Sequence, residues 1–159
     1  MIMDPKIGLR LQFLTRVVRK ECQHLATTDS RLFKDSFTRN RVVQLETDPD
    51  LAERVEAFVG RFGRLQDTIG DKLLPLLLSA LGEKPSSAID NLDLAEQLGL
   101  IASVDEWMTV RNLRNQMIHE YVEDPALLAD GLQAGHSFVP VLLATASKVL
   151  GEIERRGWA

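Results

Sequence analysis

A lone cysteine, Cys22, and only three histidines stand among 159 residues. One thiol closes no intramolecular disulfide, and no cysteine set with zinc-ligand spacing is possible. Aromatics are scarce as well: six phenylalanines, two tryptophans and one tyrosine. Long hydrophobic runs are missing too. The greasiest, LLPLLLSAL at 73–81, is about half a membrane span and contains Pro75. The opening MIMDPKIGLR holds no apolar signal core. No Gly-rich phosphate loop, zinc motif or Ser–His–Asp set is legible. These absences lead to the expectation of a soluble, cytoplasmic chain in a reducing compartment, with no membrane contact, metal or cofactor.

What is present is ordinary globular composition, 45% hydrophobic and 26% charged, which excludes a disordered chain. Its length predicts one domain over 1–159 with a sizeable core. The net charge of −4 argues against a nucleic-acid binder, but the charge is unevenly spread. Residues 1–41 carry nine Lys/Arg against four Asp/Glu, an excess of +5, and residues 42–159 carry ten against nineteen, −9. Either two solvated faces differ in charge, or a basic lip on an acidic body faces an anionic substrate.

Helical periodicity runs through the chain, and no segment alternates with the period of a strand. A first helix is expected from Pro5, capped by Asp4, to about His24, with 26–47 a loop plus a shorter helix. Asp48 and Pro49 open a long helix whose apolar stripe includes Leu51, Val55, Phe58, Phe62, Leu65 and Ile69. Gly63 and Gly70 lie beside that stripe, where another helix can approach closely. Pro75 is expected to kink or end the helix. GEKPSS at 82–87 reads as a loop, followed by a short helix over about 90–99 closed by Gly99. Ser103 with Glu106 forms a capping box that opens the next helix, which EDP at 123–125 breaks. A last helix runs from Pro125 to about Arg156, bent near Gly135 and Pro140. The predicted fold is all-α, an up-and-down four-helix bundle with an extra short helix.

The helix after Ser103 carries RNLRNQMIHEY at 111–121, unusually polar for a core element. At roughly 100° per residue, Trp107, Val110, Leu113, Met117, Ile118 and Tyr121 share one sector of roughly 140°, which must face the core. Arg114 falls inside that sector. A guanidinium there needs a carboxylate such as Asp67 or Asp71, a subunit interface or a bound anion to offset lost hydration. Beside it, Arg111, Asn115 and His119 stack at four-residue steps. Together these supply a phosphate-binding cation, an amide and a proton-exchanging imidazole. The other reactive groups are weaker candidates. His24 reads as a solvated helix end, His136 as structural, and Cys22 as lacking an activating neighbour. The tail GEIERRGWA reads as a solvated end with Trp158 packing on a neighbour.

RNQMIHEY at 114–121 has the R-x-x-x-x-H-x-Y form and resembles the HEPN superfamily, specifically the minimal toxins paired with nucleotidyltransferase antitoxins. Length, helical architecture and the late position of the motif match as well, and RFGRLQDTIGDKLLP at 61–75 looks like the long helix of such toxins. The resemblance implies metal-independent RNA cleavage, with Arg114 and His119 as the catalytic pair and Asn115 as the polar residue between them. It also implies that Tyr121 is adenylylated by a partner nucleotidyltransferase that silences the toxin. Arg111 is the expected further substrate-binding residue.

The chemistry suits the residue types. RNA carries its own nucleophile, so imidazole for proton transfer and guanidinium for phosphorane charge suffice. A single motif histidine serves a reaction that benefits from both acid and base, and Arg114 and His119 point roughly 140° apart. Both points lead to the expectation of a homodimer whose clefts combine two subunits. The alternatives are a non-catalytic HEPN-like module that binds or presents substrate to a nucleotidyltransferase, and a purely structural helical dimer.

Overall fold

A computed structural model describes residues 3–119 and 124–159. Among these residues the regular structure is entirely helical, as expected. Helix α1 spans Pro5–Leu32, α2 Arg39–Val43, α3 Pro49–Asp67, α4 Leu74–Ala80, α5 Ala88–Gln97, α6 Val104–His119 and α7 Pro125–Arg155. Most starts follow local chemistry. Asp4 accepts from the Lys6 N–H, Asp48 from that of Leu51, and Asp124 from those of Ala126 and Leu127. Each of these three caps precedes a proline in the first turn, where the missing N–H costs nothing. Gly99, at φ +75°, ends the segment after α5 as its position in the sequence suggests.

Helix α1 is longer than expected, running eight residues past His24 to Leu32. Leu25, Thr28 and Leu32 continue its buried face. Asp29 takes a 2.7 Å contact from His136 Nδ1 on α7, while the His136 ring stacks on Phe33 at 4.3 Å. Tertiary packing thus extends a helix through a polar stretch. His24 is consequently a mid-helix residue and not a helix end, whereas His136 is tied into the structure. The turn after α1 is held by Arg41, which donates to the carbonyls of Leu32 and Asp35 and lies 4.1 Å over the Phe37 ring.

Pro75 does not end its helix. The six residues Thr68–Leu73 form a π turn between α3 and α4, in which the Leu74 N–H reaches back to the Ile69 carbonyl. Proline offers no N–H to the preceding turn and crowds its carbonyl, and a widened turn absorbs both effects. The helix then continues to Ala80.

Cross-helix contacts set the directions. Arg61 bonds Thr28 and Thr68 bonds Glu21, so α1 and α3 run antiparallel. Gly63 faces Arg114 and Gly70 faces Trp107, which makes α6 antiparallel to α3. Arg19 pairs with Glu154, and Asp29 with His136, which sets α7 antiparallel to α1. The result is an up-down-up-down bundle of α1, α3 with α4, α6 and α7. Its core centres on Phe58, Phe62, Leu65, Ile69 and Leu77, all fully buried. Gly135 lets α6 and α7 close: a Cβ there would meet Met117 Sδ at 2.9 Å.

Helix α7, and not the run at 73–81, is the one described helix long and apolar enough to cross a membrane by length and composition. A twelve-residue buried face commits α7 to the bundle. Trp158 packs against the same core beneath Arg156.

Candidate functional site

Helix α6 begins where Ser103 Oγ accepts from the Glu106 N–H at 3.2 Å. The Val104 N–H donates to Glu96 of α5 at 2.6 Å, so the acidic group that completes this cap comes from α5. Its buried face is Trp107, Val110, Leu113 and Met117. Ile118 departs from the expected sector: it is 38% exposed. It lies at the edge of the face near the helix end, where its Cδ1 would still touch a Cβ added at Gly63.

The two glycines of the long helix determine how α6 lies. Gly70 sits 3.2 Å from the Trp107 indole, measured from an added Cβ, and Gly63 sits 3.5 Å from Arg114 Cγ. The spacing is seven residues on both helices, in opposite order. A Cβ at position 70 would crowd the indole by a few tenths of an ångström, whereas one at position 63 would make ordinary van der Waals contact with Arg114.

Arg114 has the carboxylate partner that its position demands. Nη2 donates to Asp67 Oδ2 at 3.0 Å, and Nη1 donates to Asn115 Oδ1 at 3.1 Å. Nε is buried with no acceptor. Both side chains of the ion pair remain about a third exposed, so the pair adds about 0–1 kcal/mol of stability at most. Its main effect is orientation: it holds a planar guanidinium in one pose. Gln66, Asp67, Asp71, Arg111, Arg114 and Asn115 line an open cavity of about 220 Å³ between α3 and α6.

Three of the sequence-derived residues, Arg111, Arg114 and Asn115, thus converge on one polar groove. His119 does not line it. This last residue of α6 is exposed and, among the described residues, makes no side-chain hydrogen bond. Five residues from Arg114, it lies about 7.5 Å further along the helix axis. Tyr121 lies outside the described residues.

A second polar cluster between α1 and α3 escaped the sequence reading. Thr68 Oγ1 donates to Glu21 Oε2 at 3.2 Å, while Oε1 is buried without a partner. Burial raises the Glu21 carboxyl above its ordinary range, against the lowering effects of Thr68, Arg64 and Lys72. Arg61 donates to Thr28 Oγ1 and to the His24 carbonyl. Neither pair is close in sequence, so only the antiparallel register of α1 and α3 creates it.

The surroundings of Cys22 disfavour its thiolate. Burial, aided by the neighbouring Glu21 charge, pushes its thiol up to about 11. A thiol in that range is on the order of one part in a thousand thiolate at pH 8, and the thiolate is the reactive form. Alkylation by iodoacetamide at pH 8 is expected to run at least tenfold slower than for free cysteine, read by mass spectrometry. Reaction at the free-cysteine rate would contradict this placement.

Comparison with protein-family models, curated proteins and solved structures finds no match for this chain.

Proposed function

We propose that the protein is a metal-independent endoribonuclease of the HEPN toxin kind, with Arg114 as the cation that receives the scissile phosphate. The observation that carries this reading is the oriented guanidinium. Arg114 is held by Asp67 and Asn115 at the wall of an open polar groove that also contains Arg111. A fixed fork of donors is suited to phosphate, and a preoriented one needs little reorganisation as charge develops. His119 is the proton-transfer group. Because it is exposed and does not line the groove of its own chain, we pair it with the groove of a second copy, in a homodimer. Tyr121, two residues on in the sequence, is the modification point for a nucleotidyltransferase antitoxin, which would add bulk and negative charge there. The expected setting is cytoplasmic.

The separation of His119 from the groove favours one second reading, a non-catalytic module that binds RNA or nucleotide for a partner nucleotidyltransferase. One experiment separates the two. Purified protein incubated with single-stranded RNA in excess EDTA is expected to cut it, leaving 2′,3′-cyclic phosphate and 5′-hydroxyl ends. The same sequence as DNA, which lacks the 2′-OH nucleophile, is expected to stay intact. Cleavage that needs added divalent metal, or cleavage of DNA, would defeat the proposed mechanism. RNA bound but never cut would leave the binding module.

A further inference from the structure

Helix α1 contains six cations and only two acids. The acids, Glu21 and Asp29, are turned toward neighbouring helices, where Thr68 and His136 bond them. The cations are all exposed. At about 100° per residue, Lys6, Arg10, Arg16, Lys20, His24 and Arg31 fall within one solvent-facing sector of about 120° and span about 38 Å. Arg19 lies beyond that sector and pairs with Glu154. Among the described residues, no other α1 cation has an ion-pair partner. An otherwise acidic protein thus presents one full-length helix face with no carboxylate on it.

The cationic surface continues sideways. A groove of about 400 Å³ between α1 and α3 is lined by Arg31, Arg54 and Arg61, with Asp50 and Glu53 along it. A smaller depression joins His24 and Arg61 to Arg64, with the Glu21 carboxyl also lining it. Arg64 stands one helical turn before Asp67, the residue that holds Arg114. Two features on the α1 face are apolar: Leu9 is 67% exposed and Phe13 44% exposed. The Arg10 guanidinium lies 5.1 Å from the Phe13 ring centroid.

We propose that the solvent face of α1, continued by Arg54, Arg61 and Arg64 of α3, is a track for the backbone of single-stranded RNA. The choice of RNA over other nucleic acids rests on the ribonuclease reading above. Phosphates supply the charge that the unpaired cations lack, and an exposed Arg–Phe pair is a platform on which a base stacks. A bilayer fits less well. An interfacial helix buries its apolar face in lipid, and the apolar face of α1 is already committed to the bundle core.

The test uses a fluorescent single-stranded RNA with 2′-O-methyl riboses, which binds without being cut, and reads anisotropy across a salt series. Arg16→Glu with Lys20→Glu is expected to weaken binding at least about tenfold at low salt and to reduce the salt slope by about 1.4, for two lost phosphate contacts. Lys84→Glu with Lys148→Glu, an equal charge change off this face, is expected to leave binding within about twofold. Circular dichroism checks that each variant is folded, and Arg16→Gln with Lys20→Gln gives the same direction without new repulsion. Equal losses from both pairs, no loss from the first, or no binding by the wild type would each overturn the proposal. So would displacement of the RNA by polyglutamate at matched charge, or tighter binding to phosphatidylserine vesicles than to RNA. Wild-type cleavage is scored separately. Binding without cleavage defeats the ribonuclease reading and leaves the track standing, whereas cleavage with no loss of binding in the α1 variant does the reverse.

Discussion

Arg114→Ala is expected to slow RNA cleavage by about a hundredfold to a thousandfold, the range for loss of one preorganised donor to a developing oxyanion. The fold should survive. Asp67 is 38% exposed in its side chain, so the carboxylate left behind regains water and is not stranded in the core. Arg114→Lys separates two roles for the cation. A lysine retains the charge but cannot bond Asp67 and Asn115 while presenting a planar edge to phosphate, so it is expected to recover little activity. A fully active lysine variant would show that a point charge suffices. His119→Ala belongs to the same experiment, with an expected loss of about a hundredfold or more from removed proton transfer and no change in helical content. Its exposure makes it a clean probe, because no packing is lost. Mixing Arg114→Ala protein with His119→Ala protein should partly restore cleavage, since each heterodimer that forms contains one intact groove facing one intact histidine. Wild-type cleavage by the His119→Ala protein would remove the catalytic assignment.

Phe62→Ala is expected to cost about 3–5 kcal/mol of stability, enough to unfold a large share of a marginal domain. Phe62 is fully buried, and its ring centroid lies 6.0 Å from that of Phe58, which in turn meets Phe33 edge-on at 4.9 Å. With so few aromatics in the chain, these rings supply bulk that no neighbour can replace. The pair also sits where α3 meets the other long helices, so a cavity there touches several elements at once. Urea titration followed by circular dichroism measures the shift. Ile89→Ala, at a 48% exposed residue, is the comparison and should change stability by less than about 0.5 kcal/mol. Equal effects from the two substitutions would mean that the core is not organised around these rings.

The parts of this protein that were legible in its sequence are those governed by neighbours along the chain. Asp4, Asp48 and Ser103 cap helices because a short acceptor side chain reaches the free N–H groups of the next turn. Gly99 turns left-handed because only glycine does so freely. The apolar stripes of α3 and α6 follow from 3.6-residue periodicity, and Gly63 and Gly70 could be read as a close-approach surface from their place beside the stripe. Asp67 was among the partners open to Arg114, alongside Asp71, a subunit interface or a bound anion.

Other features required the tertiary structure. Helix α1 passes His24 because Leu25, Thr28 and Leu32 find α3 and α7 to pack against, an energy that no local propensity contains. The π turn before Pro75 keeps the helix running where proline chemistry alone suggests a break. Asp67, not Asp71, takes the guanidinium, since the rotation of α3 against α6 is set by whole-face packing. The same rotation brings Arg111 and Asn115 to the groove and leaves His119 outside it. Residues on one helix share a periodicity, but which of them share a cavity depends on the partner helix, whose contacts lie more than forty positions away in the chain.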